Sequence, residues 1–316
     1  MKTQQFHFIP DSANKAVLLM AMELSHKHWK LAFSDGQRIR KKTIDARELN
    51  TLQAQIALAK EKLHLSPECP VYSCYEAGRD GFWLHRYLQS TGIENVVVDS
   101  SSIETNRRHR RAKTDRIDVE KLLCQLKRHR GGEQGVWQVV RVPSIEAEDK
   151  RRLHREFDRL KKERCGHSNR IRSLLILHGL DCKTLHVKDW VSYVQGLRQY
   201  NGEPLGPGIQ LELIREWRRY DQVHQQMLAI EAEQRRQIQL STDPSIEKIR
   251  GLMQLSAIGM RSAWVFVMEF YGWRAFKNRR QIGNLAGLTG TPYNSGDSER
   301  EQGISKAGNG RIRALI

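Results

Sequence analysis

Three short apolar runs in the first third of the chain place the strongest constraint on its fold. The runs are 16–22 (AVLLMAM), 70–75 (PVYSCY) and 94–99 (ENVVVD). Continuous apolar runs of this length are typical of strands that are buried on both faces of a sheet. We therefore expect the three segments to form the centre of one β-sheet.

A hairpin is expected next to the first of these strands. Residues 29–34 (WKLAFS) alternate between apolar and polar, and Asp35-Gly36 follows them. An Asp-Gly pair between two alternating segments is a strong hairpin signal, so residues 37–44 form the predicted returning strand. Helical patterns follow at 46–63, 81–90 and 114–127. This order predicts a mixed sheet with helices on its faces, which is the order of a ribonuclease-H-like fold.

The remainder of the chain has a different, mostly helical character. A strand-like stretch at 136–142 precedes Pro143, and two long charged helices are predicted at 144–177 and 211–240. Two such helices around a connecting segment indicate an antiparallel helical hairpin or coiled coil. We expect an N-terminal α/β domain, a long helical region and a small helical C-terminal domain, at residues 1–142, 143–242 and 243–316.

The composition is strongly basic. Lys and Arg number 53 against 36 acidic residues, which gives a formal net charge of +17. Such a surplus attracts polyanions, and its clustering predicts binding to nucleic acid. No apolar run approaches the ~20 residues of a membrane span, and the N-terminus has no secretory signal. Five scattered cysteines suit a reducing compartment, so we expect a cytoplasmic protein.

Four acidic residues are candidates for a metal centre. Glu23 ends the first predicted core strand, Glu76 ends the second, and Asp115 and Asp118 share one side of a helix start. Strand ends of such a sheet converge at one edge, where α/β sheets place their sites. Acids that meet there repel one another unless cations lie between them, and two Mg²⁺ ions would serve phosphodiester chemistry. Taken singly, the same acids are also explained as strand-end surface residues or helix N-caps.

A run of cations comes just before the Asp pair. Residues 106–113 contain five of them, namely Arg107, Arg108, Arg110, Arg111 and Lys113. Such a run next to acids suits a clamp for backbone phosphates that enter the metal site. The alternative is that the cations balance the charge of the carboxylates.

Two segments near the C-terminus complete the candidates. The first, GLTGTPYNSG at 287–296, contains Ser295 in an Asn-Ser-Gly context that by itself is typical of a turn. The second, GISKAGNGRIR at 303–313, is Gly-rich and basic and suits a phosphate cradle. Its candidate phosphate ligands are Lys306, Arg311 and Arg313. The sequence has neither a Walker A motif nor a Gly-x-Ser-x-Gly elbow, which argues against an NTPase and an α/β-hydrolase.

Several of these segments together resemble one family. They are YEAG with Glu76, KTDRID with Asp115 and Asp118, and LAGLTGTPYNSG…GISKAGNGRIR. The family is the insertion sequence one-ten family of transposases, in which a RuvC-like domain precedes a serine-bearing transposase domain, and the Piv invertases are relatives. The resemblance implies that Glu76, Asp115 and Asp118 occupy three places of an acidic tetrad. It also implies that Ser295 is the nucleophile.

The resemblance further implies the partners of the protein. Members of the family use a guide RNA, or bridge RNA, with one loop that pairs with target DNA and one that pairs with donor DNA. Their protomers assemble into dimers and tetramers, in which the serine of one protomer works beside the metal site of another. The long middle helices look like that assembly element. We accordingly expect a bacterial-type protein associated with the nucleoid.

Two features depart from the family pattern. The first acid of the family is typically Asp in a Gly-Ile-Asp context, whereas Glu23 stands here in Met-Glu-Leu-Ser. Its additional methylene would require a shifted strand to keep the same metal distances. Asp11 and Asp35 are weaker substitutes because neither follows a core strand. Family members usually continue past the position of Ile316, so we expect a fragment or a decaying copy.

These observations predict a protein that cuts and rejoins DNA through a phosphoserine intermediate at a Mg²⁺-dependent acidic site. One alternative is a metal-dependent RuvC-like nuclease, which would use water and would require the acids but not Ser295. A second alternative is an inactive remnant that binds nucleic acid and does not cleave it. Tyr293 is a distant alternative nucleophile, because the Arg/His set of a tyrosine recombinase is not identifiable.

Overall fold

A computed structural model describes residues 16–103, 115–295, 298–306 and 308–316. The chain divides into two compact units, Met1–Val142 and Pro143–Ile316. Each unit has hydrophobic clusters of its own. Within the described ranges, no helix combines the length and the apolar composition that a membrane span requires.

The first unit is built on one five-stranded mixed sheet. Its strands are β1 (Leu18–Leu24), β2 (His28–Ser34), β3 (Ile39–Asp45), β4 (Val71–Glu76) and β5 (Glu94–Val98). Their order in the sheet is β3-β2-β1-β4-β5. The first three strands pair antiparallel, whereas β4 pairs parallel with β1 and β5 pairs parallel with β4. The mixed sheet predicted from the apolar runs and the Asp-Gly hairpin is therefore confirmed.

Helices cover both faces of this sheet. They are α1 (Leu49–Lys62), α2 (Trp83–Ser90) and α3 (Asp115–Arg130), and a short 3₁₀ turn spans Ser100–Ser102. Successive side chains of a strand point to opposite faces. In β1, Leu18 and Met20 pack with α1 and α2, whereas Leu19 and Ala21 pack with α3. This division explains why the first run is apolar at almost every position.

The prediction of a further strand at 136–142 is wrong. This segment forms only an isolated antiparallel bridge between Val98 and Val139. Val136 and Trp137, which are adjacent, both pack in the core on the α3 side, while Val140 packs on the opposite side. Two backbone bonds hold the bridge, from Asp99 N–H to the Gln138 carbonyl at 2.9 Å and from Val140 N–H to the Val97 carbonyl at 2.8 Å. A strand alternates its faces at every residue, so the adjacent Val136 and Trp137 do not continue this pairing as a strand.

The second unit is mainly helical. Its helices are α4 (Ile145–Asp149), α5 (Arg152–Ile176), α6 (Trp190–Gly196), α7 (Pro207–Leu240), α8 (Pro244–Leu252), α9 (Met260–Phe266), α10 (Arg279–Ala286) and α11 (Gly310–Arg313). A π-helical turn at Val267–Tyr271 follows α9 directly. The single helix predicted at 144–177 is thus divided into α4 and α5.

The two long helices α5 and α7 pack side by side and run antiparallel. Arg170 pairs with Glu212 near one end of the contact, and Arg164 lies 3.2 Å from His224 further along it. Apolar residues of both helices fill the space between them, namely Phe157, Leu160, Val223, Met227 and Ile230. These two helices form the body of the second unit.

The expectation of a wholly helical C-terminal region is wrong. Strands β6 (Gly290–Ser295) and β7 (Ser298–Ile304) pair antiparallel. Thr291 and Tyr293 favour extended backbone, and Pro292 cannot donate the N–H bond that a helix interior needs. The register is irregular between Gly290 and Pro292, which is where a sheet accommodates proline.

Candidate functional site

The structure places Glu23 and Glu76 side by side at the end of the central parallel strand pair. Met22 of β1 is in register with Tyr75 of β4, and the two glutamates follow as the next residue of each strand. Neighbouring strands lie about 4.8 Å apart. Glu23 is half-buried and Glu76 is exposed. Two carboxylates therefore stand next to each other at the carboxyl ends of adjacent parallel strands.

Both glutamates belong to the face of the sheet that α3 covers. Ala21 and Cys74, two residues earlier in each strand, pack in the cluster that includes α3. Because strand residues alternate between faces, Glu23 and Glu76 lie on this same face. Helix α3 packs across β1, β2 and β4. The position of its N-terminus therefore decides whether Asp115 and Asp118 lie near the glutamates.

The direction of α3 follows from its contacts. In its middle, the Leu122 carbonyl oxygen lies 3.8 Å from the Cys74 sulfur. Near its C-terminus, Lys127 donates to the carbonyl oxygen of Gly36, which lies beyond the opposite end of β1. The helix therefore runs antiparallel to β1, and its first turn points toward the ends of β1 and β4.

The first turn of α3 is level with the two glutamates. Asp118 precedes Leu122 by one turn, which is about 6 Å along a helix. Glu76 follows Cys74 by two residues, which is about 6.6 Å along a strand. Asp115 is the first residue of α3. The side chains of Asp115 and Asp118 lie outside the part of the chain that the structure describes.

The donor set at this edge fits a hard divalent cation. Glu23 and Glu76 offer carboxylate oxygens, which are the ligands that Mg²⁺ prefers in proteins. The described side chains include no group of three His, Cys, Asp or Glu residues close enough to hold a metal ion. Completion of a site at this edge depends on the acids of α3. The predicted phosphate clamp, Arg107, Arg108, Arg110, Arg111 and Lys113, lies outside the described residues.

Ser295 is the last residue of β6, and it is in register with Ser298 of β7. Only its backbone is described, and the same holds for Tyr293. The other end of the hairpin is fixed to the segment before β6. Ser305 N–H donates to the Thr289 carbonyl at 2.8 Å, and Lys306 N–H donates to the Gly287 carbonyl at 3.0 Å.

The predicted phosphate ligands of the C-terminal segment differ in their surroundings. Lys306 is exposed and has a left-handed backbone with φ 55°. Arg311 Nε donates to Asp158 Oδ2 of α5 at 3.0 Å. Arg313 Nη1 donates to the carbonyl oxygens of Ala286 at 2.9 Å and Lys306 at 3.1 Å. Both arginines therefore make hydrogen bonds within the second unit, and a role in phosphate binding stays a prediction.

A buried carboxylate that the sequence analysis did not single out lies in the same unit. Glu269, in the π-helical turn, is only 2% exposed. Its Oε1 accepts from His154 Nε2 at 2.8 Å and from Arg155 Nε at 2.8 Å. Its Oε2 accepts from Arg155 Nη2 at 3.0 Å and from Asn309 Nδ2 at 3.1 Å. The carboxylate thus receives a two-pronged hydrogen bond from one guanidinium and one further bond on each oxygen.

These contacts determine the charge state of Glu269. Burial by itself raises the pKa of a carboxyl group, but the hydrogen bonds from His154 and Arg155 outweigh it. They hold the pKa of Glu269 well below its usual range. The same ion pair raises the pKa of Arg155 above its ordinary value. The signal in the sequence was a single acid within the apolar run VFVMEFY, since an acid is rarely buried unless it is paired.

Comparison with known proteins identifies the family. Residues 249–316 match the family model described as "Transposase IS116/IS110/IS902 family". Two similar curated proteins come from Sinorhizobium fredii (strain NBRC 101917 / NGR234) and are named "Putative transposase y4rJ" and "Putative transposase y4qE".

The first relative is 36% identical over 312 residues, which is 95% of this chain and 78% of the relative. The second is 27% identical over 249 residues, which is 78% of this chain and 57% of the relative. The region matched by the family model contains β6, β7 and Asn309, and the alignment with the first relative extends over nearly the whole chain. The chain therefore belongs to the IS116/IS110/IS902 family of transposases.

Proposed function

We propose that this DNA-binding transposase breaks and rejoins DNA by using an acidic metal site in its first unit and Ser295 in its second. The metal site would comprise Glu23, Glu76, Asp115 and Asp118. The observation that carries the proposal is the pairing of Glu23 and Glu76 at adjacent parallel strand ends, level with the first turn of α3.

The strand order supports a ribonuclease-H-like, or RuvC-like, assignment for the first unit. Three antiparallel strands followed by two parallel ones, in the order β3-β2-β1-β4-β5, are what the resemblance leads us to expect. Carboxylates on such an edge repel one another, and cations between them remove that repulsion. Bound Mg²⁺ would supply charge neutralisation at the phosphate and stabilisation of the attacking and leaving oxygens. Glu23, Glu76, Asp115 and Asp118 would hold it through their carboxylate oxygens.

The chemical step assigned to Ser295 is a displacement at phosphorus. Its Oγ forms a bond to the phosphorus while the bond to one strand oxygen breaks, and that oxygen leaves as a hydroxyl with the equivalent of the serine proton. The phosphoserine ester keeps the energy of the broken bond. A hydroxyl of the incoming strand then bonds to the same phosphorus while the bond from phosphorus to Ser295 Oγ breaks. Oγ takes up the equivalent of the proton of that hydroxyl, so a phosphodiester and the free serine are restored.

A structured guide RNA and assembly into dimers or tetramers are part of the same proposal. The net charge of +17 supports contact with more than one nucleic-acid strand, since each neutralised phosphate strengthens binding. Sequencing of the RNA that copurifies with the protein tests the first point. A discrete structured RNA encoded beside the gene is expected, and random cellular RNA would contradict this part.

The experiment that tests the nucleophile uses the hairpin itself as its control. Ser295→Ala and Ser298→Ala change neighbouring register partners in β6 and β7. Each protein is incubated with Mg²⁺ and labelled DNA fragments that cover both flanks of its gene, and covalent protein–DNA adducts are separated in denaturing gels. Parent and Ser298→Ala protein should form adducts, and Ser295→Ala protein should not. Adducts that persist in Ser295→Ala protein would remove Ser295 from the mechanism.

The same experiment separates the alternative of a water-using nuclease. Such an enzyme would cleave DNA equally well with and without Ser295 and would form no adduct. Glu76→Gln protein should lose cleavage whether serine or water is the nucleophile. Glu68→Gln protein, which has the same change in an exposed loop, should keep it.

A further inference from the structure

Glu269 accepts four hydrogen bonds, which is more than one partner for each of its buried carboxylate oxygens. It connects three separate parts of the second unit: α5 through His154 and Arg155, the π-helical turn, and the segment before α11 through Asn309. A buried ion pair is weak evidence for stability, because well-packed apolar side chains often do as well. Such a network is better explained by what it holds in place.

Asn309 is the connection between Glu269 and the C-terminal segment. Its Oδ1 accepts from Arg311 N–H at 3.0 Å and so caps α11, while its Nδ2 donates to Glu269 Oε2 at 3.1 Å. Its own N–H donates to the Leu285 carbonyl at 2.7 Å. Every polar group of this side chain is therefore used, and its position is determined on both sides.

The segment that ends at Asn309 is fitted closely to the residues that precede β6. A Cβ atom at Gly308 would lie 2.4 Å from the Leu285 carbonyl oxygen, so only glycine fits there. The backbone N–H groups of Ser305 and Lys306 donate hydrogen bonds to the carbonyl oxygens of Thr289 and Gly287. Strand β7 ends at Ile304 and β6 begins at Gly290, so these bonds fix the base of the hairpin.

The hairpin carries Ser295 at the end opposite to this base. Strand β6 has six residues, which span about 20 Å. Over that length, a rotation of about 3° at the base moves the Ser295 end by about 1 Å. A misplacement of about 1 Å at reacting atoms slows catalysis on the order of 100-fold. Small errors at Asn309 are therefore amplified at Ser295.

We propose that Glu269 is a positioning residue for Ser295, because it anchors Asn309 and thereby sets the angle of the β6–β7 hairpin. This inference rests on the proposed role of Ser295 as nucleophile. Apolar packing and the backbone bond of Asn309 hold α11, because Ile312 packs with Phe270 and Ala286 and Asn309 N–H donates to the Leu285 carbonyl. The bond to Glu269 adds the side-chain contact that ties this segment to α5.

The test reverses the polarity of one hydrogen bond. Asn309→Asp keeps the oxygen that caps α11 but replaces the donor with a second carboxylate beside Glu269. Glu269→Gln removes the charge and places an amide where Asn309 needs an acceptor. The double variant Glu269→Gln/Asn309→Asp restores the bond between positions 269 and 309 in reversed order, whereas the bond from Arg155 Nη2 to Oε2 is lost in both variants that contain Glu269→Gln. Asn284→Asp adds the same charge at an exposed position of α10 and is the matched control.

The readout is the single-turnover rate of adduct formation, with DNA affinity measured separately. Both single variants should form adducts 10-fold to 100-fold more slowly than the parent, with DNA affinity within two-fold. The double variant should regain at least five-fold over Glu269→Gln, which lacks the same Arg155 bond, and Asn284→Asp should equal the parent. Single variants within two-fold of the parent, or a double variant no faster than the singles, would overturn the inference.

A second readout keeps this test separate from the proposed function. If the parent forms no adduct, the proposed role of Ser295 is refuted. Hydrogen exchange at the backbone amides of Ser305, Lys306 and Asn309 then tests, independently of catalysis, whether Glu269 anchors this segment. Exchange that is at least 10-fold faster in the single variants than in the parent, and slower in the double variant than in the single variants, would support the anchor. Unchanged exchange in the single variants would refute it.

Discussion

The stability of the second unit should depend on pH through Glu269, and the dependence should disappear in Glu269→Gln protein. The pKa of Glu269 is held well below its usual range in the folded chain, whereas an unfolded Glu has a pKa of about 4.3. A lowered pKa in the folded state means that the stabilisation is complete well above pH 4.3. It is lost as pH falls, because the unfolded chain takes up a proton that the folded chain does not.

The size of this effect follows from the linkage relation. Each pH unit over which only the unfolded state is protonated changes the free energy of unfolding by about 1.4 kcal/mol. Between pH 5 and pH 3, the contribution of Glu269 should fall by about 1.7 kcal/mol. Its side chain is 2% exposed, so screening by solvent does not reduce this value much.

Denaturant unfolding at pH 5, 4 and 3 measures the effect when the parent is compared with Glu269→Gln protein. The two proteins share every other titratable group, so the pH dependence of the groups that do not contact Glu269 cancels to first order in the difference. The stability advantage of the parent should shrink by about 1.7 kcal/mol over this range. A constant difference would show that Glu269 is not held ionised, and the hydrogen-bond network described for it would then be wrong.

Two further predictions concern backbone and thiols. Gly308→Ala should destabilise the second unit by about 3 kcal/mol, because its Cβ meets the Leu285 carbonyl and its φ is 147°. A Cβ at Gly303 would meet open space at φ 78°, so Gly303→Ala should lower the free energy of unfolding by only about 1 kcal/mol in thermal unfolding. Equal losses of stability in the two variants would contradict the close fit at Gly308. A thiol reagent should label Cys124 and Cys165 quickly and the other three cysteines, which are buried, only on unfolding. Rapid labelling of more than two thiols in folded protein would contradict the packing.

The first unit could be predicted from sequence because its elements are local and periodic. The apolar runs identify β1, β4 and β5, and the Asp35-Gly36 turn fixes the β2–β3 hairpin. Once the first two runs are parallel neighbours, the acids that follow them must be neighbours too. The adjacency of Glu23 and Glu76 therefore follows from the parallel pairing and its register, whereas the proposed metal ligation depends on side chains of α3.

The second unit was harder to predict because its decisive contacts are distant in sequence. Glu269 binds residues that lie 115 and 40 positions away, His154 and Asn309, and no local period connects them. Glycine and polar residues interrupt the alternation of the β6–β7 hairpin, so its sequence does not predict two strands. The valines of segment 136–142 predict a strand, but Val136 and Trp137 are adjacent and pack on the same face.

In the proposed function, the ends of β1 and β4 and the start of α3 share one metal site. Fe²⁺ substituted for Mg²⁺ generates short-lived radicals with peroxide and ascorbate, and these cut the backbone next to the bound ion. Fragment mapping by mass spectrometry should show cuts near Glu23, Glu76 and Asp115 that excess Mg²⁺ suppresses together and that Glu76→Gln protein lacks. Cuts confined to one of these segments, or unchanged in Glu76→Gln protein, would contradict the shared site.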